Sequence, residues 1–101
     1  MQKNEKSHLK FFTDTPGLLG DGNVSQPTCT IWDPDGVLVE TTLLSTELID
    51  SDDNTTGIYI KNVAPEKPGN YTYLFNNNQS YPDDYIERGT FEVSDDSVKT
   101  Y

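Results

Sequence analysis

The sequence predicts an all-β domain made of two antiparallel sheets packed face to face. Three observations carry that prediction. β-Branched and aromatic residues gather in short runs, Gly, Pro, Asn and Asp punctuate those runs at fairly regular intervals, and helix signals are almost absent. Seven short strands in about 90 residues, joined by turns without crossover helices, fit a two-sheet sandwich. The chain has 101 residues, room for one domain and one core. Leu, Ile, Val and Phe make up 23 of the 101 residues, above the rough 20% line under which chains tend to stay unfolded, so the core is thin but sufficient.

The strands follow in order. The first is expected over residues 8–13, ended by Asp14-Thr15-Pro16-Gly17, where Pro presets φ and Gly accepts the turn. A Gly-rich connector over 17–23 leads to the second, over 26–32. Asp33-Pro34-Asp35-Gly36 then forms a tight turn: Asp caps it, Pro suits its first corner and Gly its last position. The third strand covers 37–42. Residues 43–50 form a weaker fourth, with Leu44, Thr46 and Leu48 alternating against Ser45 and Glu47, and a short helix as the competing reading. The fifth covers 58–63, the sixth 71–76 and the seventh 86–93. A period of two places Tyr71, Tyr73 and Phe75 on one face, Cys29 and Ile31 on one face, and Phe91 and Val93 on one face. Residues 1–7 read as a flexible polar arm, 8–94 as the sandwich and 95–101 as a polar tail.

The net charge of −10 is unevenly spread. Lys3, Lys6 and Lys10 against Glu5 make the first ten residues +2, and the remaining 4 basic and 16 acidic residues make the body −12. Such a body repels phosphate backbones, so nucleic acid is not an expected partner. No run approaches 18 apolar residues, so no membrane span is expected. The single cysteine, Cys29, permits no intrachain disulfide. The first residues carry no apolar stretch of signal-peptide type, which suggests synthesis and retention in a cytoplasm until release.

The segment Gly69-Asn70-Tyr71-Thr72-Tyr73 resembles the start of strand F in immunoglobulin-like domains. There a corner Tyr ties its hydroxyl to the backbone upstream, and the residue two further on faces the core. In antibody-type domains that second position and one on strand B are cysteines; by this resemblance they are Tyr73 and Cys29 here. Phe12-Thr13-Asp14-Thr15-Pro16-Gly17, Ile31-Trp32-Asp33-Pro34-Asp35-Gly36, Gly57-Ile58-Tyr59, Pro68-Gly69-Asn70-Tyr71 and Gly89-Thr90-Phe91-Glu92-Val93 together resemble small immunoglobulin-like domains of tailed-phage virions. The resemblance implies a disulfide-free immunoglobulin-like β-sandwich and a virion accessory on a capsid, neck or tail. Its partners are then protein subunits of the larger assembly, and it is made in the host cytoplasm. The alternative is an extracellular adhesion or carbohydrate-binding module of a larger surface protein, making weak contact with cell-surface glycans.

Chemistry is short of parts. His8 is the only histidine and lies near a terminus at the edge of the first strand, so no Ser-His-Asp or Cys–His arrangement is expected from it, and no glycine-rich phosphate loop occurs. No enzyme activity and no cofactor are expected. One Cys and one His fall short of a zinc ligand set. Asp50, Asp52 and Asn54 place oxygens at alternate positions, as calcium loops do, and form a weak calcium candidate; the bland reading is a hydrophilic loop. The residues expected to meet a partner lie in the long connection after the sixth strand: Asn77, Asn78, Tyr81, Asp83, Asp84 and Tyr85. That mixture of Tyr, Asn and Asp suits polar, wet contacts with aromatic anchors.

Overall fold

The computed structural model describes residues 1–19 and 26–94. These residues form seven strands: β1 (Ser7–Phe12), β2 (Thr28–Trp32), β3 (Leu38–Leu43), β4 (Thr46–Ile49), β5 (Thr55–Val63), β6 (Gly69–Asn76) and β7 (Ile86–Val93). All pairings between them are antiparallel. One sheet runs β1-β5-β4 and the other β3-β2-β6-β7. The two-sheet, helix-free architecture is the one expected, and residues 46–49 form a strand. The expected tail and most of the 17–23 connector lie outside the described residues.

The sheets face each other because their alternating residues do. Phe11 of β1 and Tyr59 and Val63 of β5 meet Cys29 and Ile31 of β2, Tyr71 and Phe75 of β6, Val93 of β7 and Leu44 in one buried cluster. Phe11 and Phe75 stack across the interface, with ring centroids 4.6 Å apart and planes inclined by 15°. Tyr73 adds a tilted contact to Phe11 at 5.4 Å, and Tyr59 a stacked one to Phe75 at 6.2 Å.

The expected equivalence of Cys29 and Tyr73 with a cross-sandwich cysteine pair is corrected by the sheet order. β2 and β6 are neighbours in one sheet, where Cys29 lies beside Phe75 and Ile31 beside Tyr73. The residue facing Tyr73 from the opposite sheet is Phe11, on β1. Sequence period fixes which residues of a strand share a face, but strand pairing is a long-range choice that period does not carry. Cys29 is fully buried, and burial pushes its thiol up to about 11, with Lys61 lowering it and Glu40 raising it by smaller amounts.

Two hairpin turns share one design. Asp33 Oδ1 accepts from the Asp35 and Val37 N–H groups, both at 2.9 Å, and Gly36 takes φ of 80°. Asp50 Oδ1 accepts from Asp52 N–H at 2.8 Å and Asn54 N–H at 3.0 Å, and Asp53 takes φ of 63°. Each turn also closes by a backbone bond, Asp33 to Val37 and Asp50 to Asn54. This is a short hairpin connection whose left-handed residue favours Gly or Asp. Backbone hydrogen bonds to Asp33 are the largest cause holding its carboxyl below the usual range, with Lys67 adding to them.

Tyr71 makes the expected corner. Its hydroxyl donates to the Lys67 carbonyl at 2.9 Å and accepts from the Lys67 N–H at 3.3 Å. The ring stacks on Phe91 at 5.1 Å, so the 65–69 turn is tied to the core through one side chain. The first residues are tied down as well: Lys3 N–H donates to the Ser94 carbonyl, Ser94 N–H to the Met1 carbonyl and Asn4 N–H to the Pro65 carbonyl. The Tyr71→Phe substitution keeps the ring and removes both hydroxyl bonds. It is expected to lower unfolding free energy by about 1–1.5 kcal/mol in urea titration, with an unchanged slope.

Candidate functional site

The long connection between β6 and β7 starts from a closed pair, Asn76 opposite Ile86. Inside it Asn77 is fully buried. Its Nδ2 donates to the Asp83 carbonyl at 2.8 Å, and its Oδ1 accepts from Tyr85 N–H at 2.9 Å and Gln79 N–H at 3.2 Å. Its own N–H donates to the Tyr85 carbonyl at 3.0 Å. One side chain thus replaces a missing backbone ladder, satisfying donors and acceptors that a loop this long leaves without strand partners. Asn78, at φ of 58°, sends Nδ2 to the Gln26 carbonyl at 2.8 Å and to Thr28 Oγ1 at 3.3 Å. Asn77 and Asn78 were expected as contact residues; both point inward and build the loop instead.

The outward part is Tyr81, 88% exposed, followed by exposed Pro82, Asp83 and Asp84. Tyr85 is half in and half out. Its ring leans on Phe75 at 6.0 Å and its hydroxyl donates to Glu87 Oε1 at 2.9 Å. Tyr73 donates to the other oxygen of Glu87 at 3.0 Å. The bond to Glu87 is the main cause raising the Tyr85 hydroxyl above its ordinary value, while burial leads for Tyr73. Gly89 permits this: it pairs with Tyr73, and a Cβ there would collide with the Tyr73 ring.

The loop meets the end of β1. Phe12, Thr13, Asp14 and Thr15 face Pro82, Asp83, Asp84 and Tyr85 across a groove of about 210 Å³. Among the described residues three carboxylates line it and no basic residue does. Phe12, 62% exposed, stands at its rim. Sequence reasoning missed Phe12 and Asp14. The signal was the Phe11-Phe12 doublet, since a strand that buries one of two adjacent phenylalanines must expose the other.

At the opposite end, a larger cleft of about 490 Å³ is lined by Glu40, Lys61, Lys67, Tyr71, Phe91 and their neighbours. Its two lysines are both taken up. Lys61 pairs with Glu40 at 2.9 Å, bridging the two sheets, and Lys67 pairs with Asp35 at 2.9 Å and Asp33 at 3.4 Å. Both Tyr71 hydroxyl bonds go to Lys67. This cleft is larger than the groove, but available chemistry favours the groove.

Asp50, Asp52 and Asn54 are not brought around a common point: Asp50 caps its own turn. Among the described residues no group of three or more His, Cys, Asp and Glu could hold a metal ion. Comparison with protein-family models, curated proteins and solved structures returned no match.

Asn77→Ala leaves the Tyr85 and Gln79 amides without their acceptor. The expected loss is about 2–4 kcal/mol of stability in urea titration, with faster hydrogen exchange at Tyr85 than at the β6–β7 ladder amides.

Proposed function

We propose that this chain is a non-catalytic docking module, a virion accessory of the tailed-phage kind that seats on a protein subunit of a larger assembly. The observation that carries the docking part is the groove end. A loop held from inside by Asn77 presents Tyr81, Tyr85 and Phe12 beside Asp14, Asp83 and Asp84, with no basic residue among the described residues that line the groove. Tyr85, its ring resting on Phe75 and its hydroxyl on Glu87, is an efficient anchor because little rotamer freedom is left to lose. The unbalanced carboxylates fit a partner surface carrying Lys or Arg.

The connectivity supports an immunoglobulin-like count. Sheets β1-β5-β4 and β3-β2-β6-β7 are the order obtained when such a domain lacks its first edge strand and carries one extra strand on the second sheet. β6 then corresponds to strand F, and its Tyr71 makes the corner bond. Trp32 falls on the strand corresponding to C, on the face opposite buried Cys29 and Ile31. The tailed-phage part rests on the sequence resemblance. Cys29, buried with its thiol pushed up, and His8, the only histidine and exposed, offer no paired nucleophile and base.

The test is co-sedimentation of the purified chain with particles assembled by the genome that encodes it. The expected result is saturable pelleting at a fixed copy number, weakened about tenfold or more by Tyr81→Ser combined with Asp83→Lys, and weakened by salt. A chain that stays in the supernatant overturns the virion reading. Retention on a glycan array through Tyr81 would instead support the adhesion module.

A further inference from the structure

We propose that this chain pairs with a second copy of itself along the free edge of β3, antiparallel and centred on Thr41, so that two four-stranded sheets become one continuous sheet. The inference does not depend on the docking reading, because the edge lies apart from the groove.

The four sheet edges are β1 and β4 in one sheet and β3 and β7 in the other. Three are blunted in the ways proteins use against edge-to-edge pairing. β1 carries His8 and Lys10, both exposed, just after exposed Lys6. β4 has four residues and a break in register between Glu47 and Ile49. β7 carries Glu87, Arg88 and Glu92, and Ser94 just after it is bonded to Met1 and Lys3. β3 has no Lys, Arg or Pro, and among the described residues nothing pairs with its outer side. Its one charge, Glu40, is held inward by Lys61. β3 bulges at Val39, the residue left over between Leu38 opposite Trp32 and Glu40 opposite Ile31, so its regular open edge is residues 40–43, and the bulge adds no charge to it. Val37, Leu38, Val39 and Leu43 along and beside this edge are 54–58% exposed.

The backbone parity selects a register. Leu44 N–H donates to the Pro27 carbonyl at 2.8 Å, in step with Thr28 opposite Leu43 and Cys29 opposite Thr42. Bonded and non-bonded pairs alternate along an antiparallel ladder, so Thr42 turns its N–H and C=O toward β2 while Thr41 and Leu43 turn theirs outward. A two-fold axis at Thr41 sets those outward groups against their own copy. It places Thr41 beside Thr41, a favourable cross-strand pair, and Glu40 beside Thr42, and it brings Leu43 to the bulge at Val39. An axis at Glu40 would oppose two glutamates, and one at Leu43 would run past the end of the strand.

Charge names a like copy as the occupant. Two of the four basic residues in the −12 body, Lys61 and Lys67, sit beside β3, where they offset Asp33, Asp35 and Glu40. With Glu66 close by, the balance there is still slightly negative, but the edge is much less acidic than the rest of the body, which makes it the place where two such bodies can approach. A basic partner would be drawn to the acidic groove instead.

Sedimentation equilibrium of the full chain, from about 10 µM to about 1 mM, reads the outcome, a range suited to a contact smaller than a standard interface. A monomer–dimer equilibrium is expected. Val39→Lys and Thr41→Pro should each weaken it about tenfold or more, and Tyr81→Ser should leave it unchanged. Thr41→Pro removes an outward N–H and spares the ladder to β2; if it fails to fold by near-ultraviolet circular dichroism, Val39→Lys decides. Raising sodium chloride from about 20 mM to about 500 mM should tighten the dimer several-fold, because salt screens the body's self-repulsion and the contact holds no ion pair. That sign is opposite to the one expected for groove docking, so the two ideas fail separately. Monomer at every concentration, a dimer untouched by Val39→Lys, or a dimer loosened by salt overturns the proposal.

Discussion

The stack of Phe11 on Phe75 is the contact on which the rest of the molecule depends. The chain's one cysteine is buried in the core and unpaired, so no disulfide joins the two sheets, and side-chain packing has to hold them in register. Phe11 and Phe75 are both fully buried and near-parallel at 4.6 Å, one from each sheet. Burying a phenylalanine side chain contributes about 1.5–3 kcal/mol, and an aromatic pair adds about 0.5–1.5 kcal/mol beyond its area. For a small domain whose whole stability is about 5–15 kcal/mol, one such pair is a large share.

From that stack the aromatic contacts run outward to the groove at one end and the cleft at the other. Phe75 supports Tyr85, whose backbone is held by Asn77, so the groove loop is mounted on the core. Tyr59 packs on the same ring and sends its hydroxyl to the Thr15 carbonyl at 2.7 Å, fixing the other wall of the groove. At the far end the Tyr71–Phe91 stack and the Lys61–Glu40 bridge close the sandwich. The acidic surplus is thereby sorted: unpaired at the groove, paired beside β3. Sorting of that kind is what sets opposite salt responses for the two proposed contacts.

Much of the fold was legible because period-two alternation and turn chemistry are local. Tyr71 and Phe75 on one face, Cys29 and Ile31 on one face, and the Asp33–Gly36 turn follow from spacing alone. Pairing was not legible. Resemblance sets Cys29 opposite Tyr73, whereas β1 occupies that position, because sheet order depends on contacts between residues distant in sequence. The site was half legible. Composition located the loop and its exposed Tyr81, but could not separate Asn77, which satisfies the loop's own backbone, and Asn78, which ties the loop to Gln26 and Thr28, from residues that face solvent. The spacing of Asp50, Asp52 and Asn54 suited a cation loop and a capped hairpin equally well. The twin turn at Asp33 was the clue that favoured the hairpin.

A double-mutant cycle on Phe11→Leu and Phe75→Leu, read by urea unfolding, measures the inter-sheet stack most directly. Each single change keeps an apolar side chain in place, so the cycle isolates what the two rings gain from each other. A coupling free energy of about 0.5–1.5 kcal/mol is expected. Strictly additive losses would mean that the rings fill space independently, and would contradict the central role of their contact in holding the sheets together.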